Sequence, residues 1–206
     1  ALIESWRSRA PAPGWDAIVG HGHQIRRCQE LVEALSRDPA DLDRLHIRIG
    51  RGLVITGPSG SGKTLVARAL ATAIGRDVIV PPTPEMTTST IARMYAQLAR
   101  MEPVVVILDE AETVIGRNYM GESDQTRALC VALDGIDRPQ RGPVTLALTT
   151  AGSHELSPTA TRPGRLAPRL DLSLPTFEER LEILERAVNG VPTDGPIDLG
   201  RIAERT

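Results

Sequence analysis

The stretch that most constrains the fold of this chain is "LVITGPSGSGKTLVARALATAIG", residues 53–75. Residues 53–56 have the composition of a short buried strand, and the apolar residues from 63 to about 74 keep helical spacing. A glycine-rich loop in the frame G-x-x-x-x-G-K-[ST] lies between them, with Gly57, Gly62, Lys63 and Thr64 at the fixed positions. A strand, a loop of this kind and a helix, in that order, predict an α/β fold with a phosphate-binding loop.

The residue types in this loop suit the phosphates of a nucleotide. Glycines let the backbone curl so that successive N–H groups point at an anion, and the N-terminus of the following helix adds partial positive charge. Lys63 would contact the β and γ phosphates, and the Thr64 hydroxyl would ligate Mg²⁺. The predicted nucleotide contacts are Pro58, Ser59, Gly60, Ser61, Gly62, Lys63, Thr64 and Leu65.

The alternative interpretation is a flexible Gly-Ser loop with a chance lysine. Of the 24 Lys and Arg residues in the chain, Lys63 is the single lysine. A planar guanidinium is wider than an ammonium and would replace it poorly between phosphates. The lone lysine, the strand before it and the helix after it therefore favour the phosphate loop.

A second motif lies in "EPVVVILDEAETVIGR", residues 102–117. Residues 104–108 form a continuous apolar run, which is typical of a parallel strand buried on both faces. Asp109 and Glu110 follow it, at the carboxyl end of a strand where α/β sheets bind ligands. We expect Asp109 to hold Mg²⁺, mainly through water, and Glu110 to orient and deprotonate the attacking water. The alternative is a pair of acids that caps the next helix.

The rest of the chain alternates strands with helices, which predicts a doubly wound, mostly parallel sheet with helices on both faces. Further strands are expected at 78–80, 144–149 and 170–174, and further helices at 24–35, 91–100, 126–133 and 178–188. Residues 1–14, which contain Pro11 and Pro13, have the composition of an N-terminal arm or linker. Residues 189–196 form a second boundary.

Composition excludes several classes of partner. The net charge of −2 and the 2% of aromatic residues give no strong nucleic-acid signal. No apolar run approaches the roughly 20 residues of a membrane span. Cys28 and Cys130 fit neither a metal-binding spacing nor a disulfide framework, so both are expected to be small buried residues in a reducing compartment. These features predict a cytoplasmic protein without a membrane partner.

Several further motifs follow one another in a fixed order: "WDAIVGH", "CVALDGID", "LSPTATRPGRL" and "PTFEERLEIL". Together with the two phosphate-site motifs, they resemble the AAA family of P-loop ATPases, within the AAA+ superfamily, from Trp15 onwards. The resemblance implies that "GPSGSGKT" is Walker A, that "VVVILDEAE" is Walker B, and that Ile18, Val19 and Gly20 line the adenine pocket. ATP or ADP with Mg²⁺ would be the ligand.

The resemblance also implies a domain organisation. Residues 15–188 would form the large α/β subdomain, and residues 189–206 a linker and the start of a C-terminal helical lid. The chain stops at Thr206, before the lid helix that normally supplies a further nucleotide contact, and it does not begin with Met. It is therefore expected to be an excised ATPase domain.

Arg162 and Arg165 flank Pro163-Gly164 in a stretch without periodicity, "TATRPGRLAPRL". Taken alone, this is a solvated turn with incidental charge. By resemblance, the two arginines are arginine fingers that reach the γ-phosphate held by a neighbouring subunit. That role implies a homo-oligomeric ring, most often a hexamer, with a monomer as the alternative for the isolated chain.

Two departures from the family pattern bear on function. Ala151 stands where the family usually has an Asn that orients water, and Thr150 is the nearest polar substitute. Residues 81–90, "PPTPEMTTST", lack the aromatic loop with which threading members grip polypeptide.

The leading hypothesis is an ATPase whose ring remodels a macromolecular partner. The alternative is a nucleotide-gated scaffold or loader that turns over slowly and does not thread polypeptide. A third hypothesis is a small-molecule P-loop kinase. The arginine pair argues against it, as does the Leu-Asp-Gly segment at 133–135.

Overall fold

A five-stranded parallel sheet forms the centre of the protein in the computed structural model. The described residues form seven strands, of which five make up this sheet: β1 (Gly52–Thr56), β2 (Asp77–Ile79), β3 (Val104–Leu108), β4 (Arg117–Asn118), β5 (Gly121–Glu122), β6 (Thr145–Thr150) and β7 (Leu166–Asp171). The sheet order is β2-β3-β6-β1-β7, and β4 and β5 form a separate antiparallel pair. The structure describes residues 2–8, 13–35, 52–101, 104–115, 117–118, 121–135, 145–151, 156–162, 165–192 and 195–206.

Helices cover both faces of the sheet, as the sequence predicts. They are α1 (Leu2–Ser5), α2 (Gly22–Leu35), α3 (Lys63–Ile74), α4 (Thr88–Leu98), α5 (Glu112–Ile115), α6 (Asp124–Gly135), α7 (Phe177–Val188) and α8 (Leu199–Arg205). Leu53 and Ile55 pack with α2 and α3 on one face, while Val54 packs with α4 and α6 on the other. Alternate residues of a strand point to opposite faces, so β1 contributes to both halves of the core.

The buried central strands and α3 follow the predicted bounds closely, and other elements differ at their ends. Helix α6 begins two residues earlier than predicted because the Ser123 hydroxyl accepts a hydrogen bond from the Thr126 N–H, at 3.1 Å. Strand β7 begins at Leu166 rather than at 170. Pro168 disfavours a central strand, but β7 lies at the edge of the sheet, where a missing N–H is tolerated.

Part of the predicted N-terminal arm is integral to the domain. Ile3 and Trp6 are buried in the core that includes α4. The backbone of residues 6–8 pairs with β2, since the Ser8 N–H donates to the Val78 carbonyl at 2.8 Å and the Val80 N–H donates to the Trp6 carbonyl at 2.9 Å. This segment covers the β2 edge of the sheet, which would otherwise expose unpaired backbone groups.

Both cysteines are buried free thiols, in line with the sequence interpretation. Burial raises the pKa of Cys28 to about 12, so this thiol stays protonated and unreactive at neutral pH. Among the helices that the structure describes, none is long and apolar enough to cross a membrane.

Candidate functional site

The candidate site is a cleft of about 460 Å³ beyond the carboxyl ends of β1, β3 and β6. Parallel strands bring these ends to one edge of the sheet, where ligands of α/β proteins bind. The cleft is lined by Ser59, Gly60, Gly62, Lys63, Thr64, Leu65, Asp109, Glu110, Thr150 and Ala151. The structure thus brings together most of the residues predicted from the two phosphate-site motifs.

The start of the phosphate loop is tied to the sheet, and the lysine contacts the loop itself. The Gly57 N–H donates to the Thr150 carbonyl at 3.2 Å, which ties the start of the loop to β6. A Cβ on Gly57 would lie 2.5 Å from the carbonyl oxygen of Leu172, so only glycine fits this close approach. The Lys63 ammonium donates to the carbonyls of Gly57 and Pro58, each at 2.9 Å. The lysine therefore lies over the loop, beside the N-terminus of α3.

Asp109 faces Thr64 across the edge of the sheet. The Thr64 hydroxyl lies 2.9 and 3.1 Å from the two carboxylate oxygens, which share its single proton as acceptors. A carboxylate and a hydroxyl oxygen are hard ligands of the kind that suits Mg²⁺, which is usually held by one or two carboxylates together with substrate phosphates. In the part of the chain that the structure describes, no group of three or more His, Cys, Asp and Glu residues could hold a metal alone. Thr64 and Asp109 therefore fit an ion shared with a nucleotide.

Glu110 has an unusual backbone conformation. Its φ is +52°, in the left-handed region that a non-glycine residue seldom adopts. Its N–H donates to the Thr149 hydroxyl at 3.1 Å, and its side chain is exposed towards the cleft. Strained residues of this kind cluster at functional sites, where the surrounding structure holds them in place.

Glu110 also lines a second cleft, of about 310 Å³. The segment between β2 and α4 supplies much of its lining through Thr83, Pro84, Met86 and Thr87, and α6 supplies Gln125. The Thr83 hydroxyl also donates a hydrogen bond to the backbone carbonyl of Asp109. This segment is therefore attached to the carboxylate motif.

Thr150 ends β6 and Ala151 follows it, at the place where the sequence departs from the family pattern. Thr150 is fully buried and lines the cleft together with Ala151. The Ala151 N–H donates to a carboxylate oxygen of Glu112 on α5. Ala151 therefore has no polar side chain, and its backbone N–H is already hydrogen-bonded to the Glu112 carboxylate.

Residues 15–21 pack beside the phosphate loop. Ile18 is buried in the core beneath α3, whereas Val19 and Gly20 are partly exposed. The imidazole Nε2 of His21 lies 3.0 Å from the carbonyl oxygen of Ser61 in the phosphate loop. Like Glu110, His21 has a left-handed backbone, with φ +55°.

The two predicted finger arginines have different environments. Arg165 forms a paired contact with Asp134 on α6, with Nε at 2.8 Å and Nη2 at 2.5 Å from the two carboxylate oxygens, and its Nη1 donates to the Thr159 carbonyl at 2.7 Å. The hydrogen bond that Arg165 donates to Asp134 raises the pKa of the guanidinium. Arg162 is exposed. Pro163-Gly164, which the two arginines flank in the sequence, lies outside the described residues.

Sequence reasoning did not single out Thr149, His21 or Thr83, although each contacts the site. Thr149 is fully buried, and its hydroxyl donates to Asp109 as well as accepting from Glu110. Its place in the strand end "LALTT" was visible in the sequence, but which of the two threonines faces Asp109 depends on the register of β6 against β3.

Comparisons with known proteins show which proteins this chain is similar to. A protein-family model described as "ATPase family associated with various cellular activities (AAA)" matches residues 53–174. The chain is 29% identical to the 26S proteasome regulatory subunit S10B homolog B of Arabidopsis thaliana, over 92% of this chain and 51% of that protein. It is 29% identical to the 26S proteasome subunit RPT4 of Saccharomyces cerevisiae, over 89% of this chain and 45% of that protein.

A human relative, ATPase family gene 2 protein homolog A, is 26% identical over 86% of this chain and 21% of its own length. The chain thus spans about half the length of the proteasomal relatives it matches, and less of the human one.

Proposed function

This chain belongs to the AAA family of ATPases, and on that premise we propose that the 460 Å³ cleft binds and hydrolyses Mg-ATP. We propose further that the nucleotide cycle drives remodelling of a macromolecular partner by a ring of subunits. The observation that carries the proposal is the convergence of Lys63, Thr64, Asp109 and Glu110 on one cleft from two separate strand ends.

Each of these residues has a role that follows from its chemistry. Lys63 moves its ammonium from the loop carbonyls to the β and γ phosphates, which it attracts as a compact charge. Thr64 and Asp109 would hold the Mg²⁺, which neutralises charge on the phosphate oxygens when bound. Glu110 accepts a proton from the attacking water as a general base.

A ring, most simply a homo-hexamer, would complete the site. Arg162 is exposed and so is available to a neighbouring subunit's nucleotide, where a guanidinium binds phosphate oxygens through paired donors. Arg165 would have to leave Asp134 before it could act in the same way. Names of two relatives place them in the 26S proteasome, which favours a protein as the partner. The buried free thiols suit a cytoplasmic location.

The alternative is a nucleotide-gated scaffold or loader with slow turnover. Two observations favour it: Ala151 lacks the polar side chain expected near the γ-phosphate, and residues 81–90 have no aromatic side chain with which to grip polypeptide. Steady-state ATPase rates of an assembled ring separate the two functions, since a scaffold would bind nucleotide tightly and hydrolyse it slowly.

A binding experiment tests the common basis of both functions. Lys63→Ala should weaken Mg-ADP binding about 10- to 100-fold, because a hydrogen bond from a charged group contributes about 1.5–3 kcal/mol. The measurement is isothermal titration calorimetry on the isolated chain. Arg93→Ala, which removes a positive charge from an exposed position of α4, is the matched control and should bind like the wild type. Equal affinity in Lys63→Ala would exclude the phosphate-loop assignment.

A further inference from the structure

Thr149 links the two acidic residues of the site. It lies at the end of β6, next to β3, and is fully buried. Its hydroxyl donates a hydrogen bond to Oδ1 of Asp109 and accepts one from the N–H of Glu110, at 3.1 Å. A hydroxyl has one proton to donate and lone pairs to accept, so both bonds can exist at once.

The bond to Asp109 orients a carboxylate that would otherwise rotate. Thr64 approaches the same carboxylate from α3, and Thr149 approaches Oδ1 from the neighbouring strand. When Thr64 turns towards a metal ion, Thr149 remains as a donor that holds the plane of the carboxylate. Groups that orient a metal ligand in this way usually change metal affinity or activity by about 10- to 100-fold when they are removed.

The bond to Glu110 supports a strained backbone. At φ +52°, Glu110 is in a conformation that costs of order 1–3 kcal/mol and persists only where surrounding contacts hold it. Two contacts from Thr149 do so: its hydroxyl accepts the Glu110 N–H, and its carbonyl accepts the Ala111 N–H at 2.8 Å. The direction of the Glu110 side chain depends on this backbone.

We propose, on the basis of the function proposed above, that Thr149 is a positioning residue that couples the metal-binding carboxylate to the general base. One hydroxyl fixes Asp109 for Mg²⁺ and Glu110 for water. Ala151 has no polar side chain with which to orient groups in the site. In this chain Thr149, two residues earlier, takes that part by positioning Asp109 and Glu110. Thr149 is fully buried and is not among the residues that line the cleft.

The test compares Thr149→Ser with Thr149→Ala, two variants that differ by the hydroxyl oxygen. Calorimetry measures ADP affinity of each with Mg²⁺ and with EDTA. Steady-state ATP turnover is measured after fusion to a hexamer-forming coiled coil. Thr126→Ser and Thr126→Ala form the matched control pair, because Thr126 is a fully buried threonine on α6 whose hydroxyl donates to the Val114 carbonyl at 2.9 Å, away from the cleft.

Thr149→Ser should keep the wild-type Mg²⁺ dependence and kcat. In Thr149→Ala, the factor by which Mg²⁺ raises the ADP affinity should fall about 10-fold. Its kcat should fall about 10- to 100-fold, with little change in KM. Its ADP affinity in EDTA should stay within about 2-fold of the wild type, because the phosphate loop is intact. Neither change should occur in the Thr126 pair.

Equal behaviour of Thr149→Ser and Thr149→Ala would overturn the proposal, as would a similar loss in Thr126→Ala. If Thr149→Ala fails to fold, Thr149→Val keeps the branched shape without the hydroxyl and takes its place in the comparison. Failure of the wild type itself to bind ADP would instead reject the proposed function, so the two failures are distinguishable.

Discussion

At the scale of single residues, the proposed function divides the cleft into a binding part and a catalytic part. Lys63, Thr64 and Asp109 would bind phosphate and metal, whereas Glu110 is the one exposed carboxylate among the described residues that line the cleft. Glutamate and glutamine have almost the same shape, but only the carboxylate can accept a proton from water. This makes Glu110 the residue at which binding and turnover can be separated.

Glu110→Gln should retain nucleotide affinity and lose ATP turnover. Removal of a general base typically lowers the rate about 10²- to 10⁴-fold, while the phosphate loop that provides binding is untouched. Calorimetry with Mg-ADP and steady-state hydrolysis by a ring-forming fusion measure the two effects. Glu204→Gln, at an exposed position of α8, is the control. Wild-type turnover in Glu110→Gln would make Glu110 a structural cap.

The acidic pair and the lysine were predictable because each lies within a short local motif. The Thr149 and His21 contacts were not, because they join residues 39 and 40 positions apart in sequence. Such contacts depend on strand register and on backbone angles that the residue types do not reveal. The left-handed backbone of Glu110 is likewise imposed by its neighbours, since a glutamate has no intrinsic preference for it.

At the scale of elements, α7 closes against the segment of residues 15–21. The Arg186 guanidinium donates to the Asp16 carbonyl at 2.6 Å. At the other end of α7, Thr176 and Glu179 form a capping box, in which the Thr176 N–H donates to Glu179 at 2.8 Å. A Cβ added to Gly20 would lie 2.3 Å from an oxygen of this Glu179. Gly20 therefore permits the contact between the two elements.

Gly20→Ala should lower the free energy of unfolding by about 1–3 kcal/mol, because its φ of +77° strains any other residue and the added methyl group meets Glu179. Urea unfolding of the isolated chain measures the loss. The same substitution in a Glu179→Ala background should cost less, since the clash is gone and only the backbone strain remains.

The control for this pair is Gly22→Ala. Nothing lies within 4 Å of a Cβ at Gly22, which is the first residue of α2. Alanine there should leave stability unchanged or raise it by about 0.4–1 kcal/mol. An equal loss for Gly20→Ala in both backgrounds would mean that Glu179 does not press on this segment.

Elements with a buried, continuous apolar pattern were the most predictable. Strands β1 and β3 are buried along their whole length and follow their predicted positions, and α3 starts at Lys63 as expected. Strand β7 was predicted to begin four residues too late because Pro168 and Arg169 break the pattern, whereas its edge position tolerates both. Residues 2–8 gave no periodic signal, and their packing depends on an unpaired sheet edge elsewhere in the chain.

At the scale of the whole molecule, the proposal is that one chain does not form a complete catalytic site. The cleft has the residues that we propose for phosphate, metal and water, and its lining includes no arginine among the described residues. Arg162 is exposed, and Arg165 is held by Asp134. An arginine finger contributes about 10³- to 10⁵-fold to the rate of related reactions. The isolated chain should therefore bind nucleotide and hydrolyse it slowly.

The most direct test of this account is a mixing experiment with subunits fused to a hexamer-forming coiled coil. One subunit has Arg162→Ala and an intact phosphate loop; the other has Lys63→Ala and an intact Arg162. Arg165 is left in place because its substitution would also remove the paired contact with Asp134. Co-assembly is verified by native mass spectrometry, and ATP hydrolysis is measured for each ring alone and for the mixture.

Each variant alone should be nearly inactive. In random mixed rings, about one interface in four joins an intact phosphate loop to an intact Arg162 of the neighbour, so activity should recover to a comparable fraction of the wild type. Recovery of this size would support a site completed between subunits. No recovery in rings with proven co-assembly would contradict it, and would leave Arg162 as a solvent-exposed residue of a surface turn.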